Sequence, residues 1–87
     1  MSYEIEFTPA AERNLRRIPR QSLGRIERAI QALAQEPRPS QVRKISGYDK
    51  SWRIRVGQFR VVYNIYDDKL LIVVVRIARR QENTYRF

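Results

Sequence analysis

Residues 51–66 read SWRIRVGQFRVVYNIY, and the fold of the chain is predicted most directly from them. Apolar and polar residues alternate on both sides of Gly57-Gln58, which is the pattern of strands that have one buried face. Glycine in the first position of a two-residue loop suits a tight hairpin, because it adopts positive φ angles without strain. The stretch therefore predicts two antiparallel strands, Ser51–Val56 and Phe59–Tyr66.

The same alternation continues on both sides of this hairpin. Asp67-Asp68 suits another tight turn, and a third strand is predicted over Lys69–Ala78. A further short strand is predicted over Val42–Ile45, before a turn at Gly47. The carboxy-terminal half is thus predicted to be a meander of antiparallel strands.

The amino-terminal part predicts a strand followed by two helices. After Thr8 the apolar residues recur at three- and four-residue steps, as they do in amphipathic helices. Thr8 and Pro9 suit the N-cap and the first helical position, and Pro37 and Pro39 end the helical pattern. The predicted elements are a strand over 3–7, a helix from Pro9 to about Arg17, and a second helix over roughly Arg20–Glu36.

This order of elements predicts a single α+β domain over residues 1–87, in which a helical hairpin packs on one face of a twisted sheet. The predicted loops also set the register of the strands. Arg55 should lie opposite Arg60, and a loop at Asp67-Asp68 would place Arg60 opposite Val75. The face predicted to pack on the helices carries Trp52, Ile54, Val56, Phe59, Val61, Tyr63, Ile65, Leu70, Ile72 and Val74. The other face carries Arg53, Arg55, Arg60, Val62, Asn64, Leu71, Val73, Val75 and Arg79.

Three arginines, Arg53, Arg55 and Arg60, cluster on this second face. Like charges directly opposite each other destabilise a sheet, so the pairing of Arg55 with Arg60 does not favour folding. A site that binds a phosphate would explain the pairing. The alternative is a chance pairing on a solvated face, where the two side chains bend apart.

The charge of the chain favours the same kind of ligand. The formal net charge is +9, and only three of the 18 basic residues are lysine, so fifteen are arginine. The planar guanidinium group matches phosphate oxygens two at a time, which favours a nucleic-acid partner over a merely soluble basic surface. The sequence has no cysteine and no histidine, which excludes disulfides, thiolate metal sites and a histidine general base.

The cellular location is predicted from what the sequence carries at its start and in its apolar runs. The first residues include Glu4 and Glu6 in place of the basic start of a signal peptide. The longest apolar run, Leu70–Val75, is far shorter than a membrane span. We therefore expect a cytoplasmic protein with no membrane partner.

The segment from Trp52 to Tyr63 resembles the core signature of the RelE/ParE superfamily of bacterial toxins, in which a basic strand passes through a glycine turn into a second strand of the form hydrophobic-Arg-hydrophobic-Val-Tyr. The run over 70–75, the segment Ile77–Arg80 and the opening helices extend the likeness to nearly the whole chain. RelE-like members cut mRNA in the ribosomal A site, whereas ParE-like members act on DNA gyrase. An arginine near the end of the last strand and a later Tyr85 match the RelE-like branch.

The resemblance implies a metal-independent endoribonuclease without a cofactor, in which the 2′-hydroxyl of the RNA attacks the adjacent phosphate. Arg53 and Arg55 match the basic strand positions, and Arg60 matches a phosphate-binding arginine. Arg80 matches the arginine that acts on the leaving group, and Tyr85 matches an aromatic residue that stacks on or orients the substrate nucleotide. Further candidates for RNA binding are Lys44, Arg79 and Arg86.

The sequence departs from the family pattern in two places. The best-known member has lysines where this chain has Arg53 and Arg55, and an arginine cannot lose its proton to act as a base. The general base therefore stays open among Tyr85, Glu82 and a group of the ribosome. In addition, strict alternation puts Arg79 on the arginine face, whereas the family match favours Arg80.

The implied partners follow from the resemblance and the charge. An acidic, partly disordered RelB-like antitoxin should fold on the helices and cover the arginine face. The ribosome and mRNA are the other expected partners, and operator DNA is expected only for the toxin–antitoxin complex. The alternatives are a ParE-like inhibitor of DNA gyrase, which is no nuclease, and a plain nucleic-acid-binding module.

Overall fold

The computed structural model describes residues 2–80 of the chain. Its order of elements is a strand, two helices and four further strands, with a single 3-10 turn before the last strand. The elements are β1 (Glu4–Phe7), α1 (Pro9–Arg17), α2 (Arg20–Leu33), β2 (Arg43–Lys44), β3 (Ser51–Val56), β4 (Phe59–Tyr66), the 3-10 turn (Asp67–Lys69) and β5 (Leu71–Arg79). The prediction of an α+β fold is confirmed, and β3 and β4 have the predicted bounds. The second helix ends three residues earlier than predicted, and β2 covers only the centre of its predicted range.

Residues 2–80 form a sheet of five strands in the order β1-β5-β4-β3-β2. β1 runs parallel to β5, and the other neighbouring strands are antiparallel. One face of the sheet packs on both helices, and the core between them includes Ile26, Ile30 and Leu33 of α2 together with Tyr63 and Ile72. The opposite face, which the helices do not cover, is called the open face below.

Two predicted local features are confirmed in detail. The Oγ1 atom of Thr8 accepts a hydrogen bond from the amide of Ala11 at 3.1 Å, so Thr8 caps α1 and Pro9 is its first residue. Gly57 has a φ angle of 60°, and Val56 pairs with Phe59 across the hairpin loop. A side chain at this loop position would be strained. The hairpin therefore places Arg55 opposite Arg60, as predicted.

The predicted register of β4 with β5 is wrong, and Arg60 lies opposite Ala78 and not Val75. One cause is the connection, which contains the 3-10 turn and Leu70 in a left-handed conformation with φ 49°. Leu70 thus lies in the turn and not on the core face of a strand. The other cause is a bulge, because Tyr63 pairs with Val74 whereas Val62 pairs with Arg76, and Val75 is the extra residue.

The bulge is held by contacts with a distant part of the chain. The amide of Thr8 donates to the carbonyl of Val74 at 3.0 Å, and the Thr8 hydroxyl donates to the carbonyl of Val75 at 3.1 Å. Two residues further on, the amide of Ile77 donates to Oδ1 of Asn14 in α1 at 2.9 Å. These bonds pair backbone groups of β5 beyond the end of β1 and hold the bulge in place. The bulge in turn reverses which face of the sheet the residues after Val75 point to.

At the other end of the sheet, three segments meet around a carboxylate. Asp67 accepts hydrogen bonds from the Tyr3 hydroxyl at 2.6 Å and from both terminal nitrogens of Arg38, the shorter at 2.8 Å. The Arg38 guanidinium also lies 5.2 Å from the centre of the Trp52 ring. The bonds from Arg38, and then from Tyr3, hold the pKa of Asp67 below its ordinary value.

Substitution Asp67→Asn should make the stability of the protein less dependent on pH. A carboxylate with a lowered pKa in the folded state stabilises the protein above its unfolded pKa and loses this effect as the pH falls through the folded pKa. The variant should therefore melt at a lower temperature than the wild type at neutral pH, and the gap should close below roughly pH 4. Melting curves across this range test the prediction, with the exposed neighbour Asp68→Asn as the control; a gap that persists at low pH would contradict it.

Within the described residues, no helix is long and apolar enough to cross a membrane.

Candidate nucleic-acid interface

Within residues 2–80, the open face carries five arginines on β3, β4 and β5, and a sixth, Arg43 on β2, pairs with Arg53. Arg53 and Arg55 are two positions apart on β3, and Arg60 lies opposite Arg55 on β4. On β5 the bulge turns Arg76 to this face, where it pairs with Val62. The amide of Arg80 donates to the carbonyl of Gln58 at 2.7 Å, which continues the ladder by one step and turns Arg80 to the same face as Arg76. These five residues are called the arginine cluster: Arg53, Arg55, Arg60, Arg76 and Arg80.

The arginine cluster surrounds a small apolar floor made by Val62 and Ala78. Val62 is fully buried although the register places it on the open face, opposite Arg53 on one side and Arg76 on the other. The apolar stems of these long side chains can cover Val62 while their charged ends stay accessible. Ala78, the other residue of the floor, lies opposite Arg60. The floor thus separates arginines of three strands by small apolar side chains.

The three strands that carry the arginine cluster have no acidic residue of their own. The sequence has no aspartate or glutamate between Lys50 and Tyr66 or between Lys69 and Gln81. The Nε atom of Arg76 is buried, and a buried charged donor is costly unless it is paired. An anion over this face would lessen the repulsion between the like charges that the register brings together.

A depression of about 320 Å³ lies at the hairpin end of the open face and is lined by Gln58, Arg60, Arg79 and Arg80. Of these, Arg60 and Arg80 belong to the arginine cluster. Arg79 pairs with Phe59 and therefore points to the helix side, where its guanidinium lies 5.1 Å from the Phe59 ring. The expectation from strict alternation, that Arg79 shares the face of Arg60, is wrong because the bulge reverses the alternation. Arg79 nevertheless borders this depression, so its predicted contact with RNA stays a prediction.

An arginine of α2 supports the hairpin that carries Arg55 and Arg60. A terminal nitrogen of Arg25 lies so close to Gly57 that a Cβ atom there would be 2.9 Å away. Arg25 also lines a second depression together with Gln58 and Arg79. Arg25 is therefore unsuitable as a neutral control for substitutions of the arginine cluster, whereas Arg28, which is exposed on α2, remains suitable.

The remaining predicted residues lie apart from the arginine cluster or outside the described residues. Lys44 pairs with Trp52, so it lies on the other face of β2 from Arg43 and Arg53. Its ammonium group donates to the carbonyl of Tyr48 and lies 5.3 Å from the centre of the Trp52 ring. Predictions for Tyr85, Arg86 and Glu82 fall outside the described residues.

Sequence reasoning missed Arg76, which it left off the open face. A period of two can only predict alternation, and a bulge that depends on bonds from Thr8 leaves no local signal in β5. The one available signal was composition, since Arg76 is the only charged residue between Leu70 and Ala78.

A comparison with protein families agrees with this arrangement. The profile of the ParE toxin family of type II toxin–antitoxin systems matches residues 5–84. The chain belongs to the RelE/ParE family of toxins. The predicted family resemblance is confirmed, and the chain is a toxin of a toxin–antitoxin system.

Individual relatives of this toxin are RelE-like. The toxin is 30% identical to toxin RelG of Mycobacterium tuberculosis over 87 residues, which cover 94% of this chain and 95% of RelG. It is 27% identical to the putative toxin RelE1 of Methanocaldococcus jannaschii, with 93% of each chain covered. Its fold is similar to that of the toxin in the RelE–RelB complex of Pyrococcus horikoshii, with a TM-score of 0.82, 23% identity and coverage of 94% of this chain and 99% of the other.

Proposed function

We propose that this toxin is a ribosome-dependent mRNA endoribonuclease that blocks translation and acts in the cytoplasm. The observation that carries the proposal is the arginine cluster: five guanidinium groups around an apolar floor on an open sheet face, with no carboxylate on the three strands. Such a face suits a polyanion, because each planar guanidinium group can donate two hydrogen bonds to the oxygens of one phosphate. The likeness to RelG and RelE1 supports the choice of RNA.

The proposed reaction is an attack of the RNA on its own backbone. The 2′-oxygen bonds to the adjacent phosphorus as its proton leaves, and the bond from phosphorus to the 5′-oxygen breaks. The leaving 5′-oxygen takes up a proton from water, so the products are a 2′,3′-cyclic phosphate and a 5′-hydroxyl end. The intermediate state carries extra negative charge on the phosphate oxygens, and fixed cations aimed at this charge lower the barrier.

The arginines fit the electrostatic part of this reaction but not the removal of the first proton. An arginine stays protonated at any physiological pH, so it cannot act as the base. Tyr85, Glu82 and a group of the ribosome remain the candidates for this role. A toxin without a strong base of its own gains most from a ribosome that holds the mRNA in line for the attack.

Mapping of new RNA ends tests this proposal most directly. Purified toxin is added to ribosomes that carry a defined mRNA, and the 5′ ends are mapped by primer extension. We expect cuts within the mRNA that require ribosomes and persist in the presence of a metal chelator that leaves the ribosomes intact. Absence of cuts in translated mRNA at toxin concentrations that arrest growth would contradict the proposal.

A second candidate function is inhibition of DNA gyrase, and the ParE name of the matching family profile favours it. The two functions differ in their products. A gyrase inhibitor should block supercoiling of plasmid DNA and leave mRNA intact. An mRNA nuclease should cut mRNA and leave supercoiling by gyrase unchanged.

We further propose that an acidic antitoxin neutralises the toxin. The relative from Pyrococcus horikoshii is found in a complex with RelB, and the +9 charge of this chain favours an acidic partner. A groove of about 360 Å³ lies beside the helices and is lined by Phe7, Leu15, Glu27, Ile30 and Gln31, which suits the apolar side of a helical segment. Binding to operator DNA would then belong to the complex, mostly through the antitoxin.

Co-expression with the product of the adjacent gene should relieve growth arrest by the toxin. The complex should also shield the open face, because an acidic chain over the arginine cluster offsets its charge. Growth curves and co-purification test this expectation, with an unrelated acidic protein as the control. If neither neighbouring gene relieves the arrest, the assignment of an antitoxin partner is wrong.

A further inference from the structure

We propose that Arg76 contacts the RNA backbone as part of the arginine cluster, a role that rests on the proposed function. Arg76 is neither at the glycine hairpin nor at the end of the last strand, where the family likeness places its site residues. It reaches the open face only because Val75 is bulged out of the ladder with β4.

The position of Arg76 relative to Arg60 is the first argument. Arg76 pairs with Val62 and Arg60 pairs with Ala78, so the two arginines are diagonal neighbours on adjacent strands. Diagonal neighbours on one face have Cβ atoms roughly 7–8 Å apart, within reach of long side chains. Both guanidinium groups can therefore approach one phosphate or two consecutive phosphates over the same apolar floor.

The surroundings of Arg76 are the second argument. Its Nε atom is buried, and it has no hydrogen-bond partner among residues 2–80. Most buried polar groups in folded proteins have a partner, and one without a partner calls for a reason. No carboxylate lies on β3, β4 or β5, and Arg76 is only half-buried, so an anion over this face would meet the outer part of its guanidinium group and offset the cost of the buried Nε.

The construction of the bulge is the third argument. Thr8 donates to the carbonyls of both Val74 and Val75, and Asn14 accepts from the amide of Ile77. The bulge is thus held by α1 and its N-cap, which bond to backbone groups of β5 and leave the open face uncovered. Bulges are frequent beside functional sites, where they redirect a side chain, and the side chain redirected here is that of Arg76.

Substitution Arg76→Gln tests the proposal, with Arg28→Gln as the matched control that removes the same charge from the outer face of α2. Binding to a single-stranded RNA oligonucleotide is measured against salt concentration, and cleavage is measured on ribosomes with a defined mRNA. For Arg76→Gln we expect cleavage to fall roughly 10- to 100-fold, less than the roughly 100- to 1000-fold that a donor aimed at the reacting atoms costs. The slope of log affinity against log salt should become shallower by about 0.7, the value for one phosphate contact on a single strand. Arg28→Gln should change neither.

The two measurements separate failure of this proposal from failure of the proposed function. If the wild type binds the oligonucleotide but cuts no mRNA, the nuclease is wrong, and the salt slope still tests Arg76. If the wild type cuts mRNA and folded Arg76→Gln cuts it equally well, or retains the wild-type slope, the role of Arg76 is wrong. Should Arg76→Gln melt below the assay temperature, Arg76→Met keeps an apolar stem over Val62 and should give the same two losses; wild-type values for it would overturn the proposal.

Discussion

Substitution Arg60→Gln should leave the toxin folded and reduce its cleavage of mRNA by roughly ten- to a thousandfold. Arg60 lies opposite Arg55, borders the depression at the hairpin end, and has a buried Nε atom. If Arg60 stabilises the charge that develops on the phosphate, its loss removes a contact that matters most in the transition state. The effect should therefore appear mainly in the rate of single-turnover cleavage at saturating toxin.

Stability should change in the opposite direction or not at all. Opposed like charges on a sheet are unfavourable, so removal of one should stabilise the protein by about 0.5 kcal/mol at most. A gain in stability with a loss of activity is expected for a residue kept for function. Thermal melts and growth-arrest assays of Arg60→Gln and Arg55→Gln measure the two effects, with Arg28→Gln as the control. A folded Arg60→Gln variant that arrests growth like the wild type would rule out this face as the active site.

The parts of the fold that were predictable are those that depend on local sequence. The hairpin at Gly57 needs only a glycine at the turn and alternation on both sides, and its register is as predicted. The start of α1 needs only Thr8 and Pro9. In both cases the residues that determine the structure are neighbours in the sequence.

The register of β5 could not be predicted, because it depends on contacts between distant residues. Leu70 takes a left-handed conformation that is rare for a branched side chain, and Val75 is bulged through two bonds from Thr8. The turn shifts the register and the bulge reverses the alternation. An assumption of strict alternation along β5 therefore put Arg79 on the wrong face and missed Arg76. The family likeness favoured Arg80 on other grounds, and the structure places Arg80 on the open face.

Substitutions of the two adjacent arginines at the end of β5 should have very different effects. Arg80 continues the alternation after the bulge and lies on the open face beside Arg60, whereas Arg79 lies over the Phe59 ring on the helix side. Under the proposed function Arg80 is the arginine that stabilises the negative charge on the leaving 5′-oxygen by donating hydrogen bonds to it. Arg80→Gln should therefore slow cleavage by roughly 100- to 1000-fold, as expected when a transition-state donor is lost. Arg79→Gln should slow it by less than about tenfold, as expected for a long-range charge effect.

Each variant serves as the control for the other, because both remove one positive charge from the same end of the sheet. Arg79→Gln loses a cation–π contact with Phe59, which is worth about 0.5–1 kcal/mol at an exposed site, so it should melt slightly lower. Arg80→Gln should melt like the wild type. An mRNA with a better leaving group, such as a 5′-bridging sulfur at the cut position, needs less help at the leaving atom. It should therefore restore most of the rate to Arg80→Gln and little to Arg60→Gln. If Arg79→Gln proves the slower enzyme, the side chain of Arg79 and not that of Arg80 acts on the leaving group, and the bulge does not set the geometry of the site.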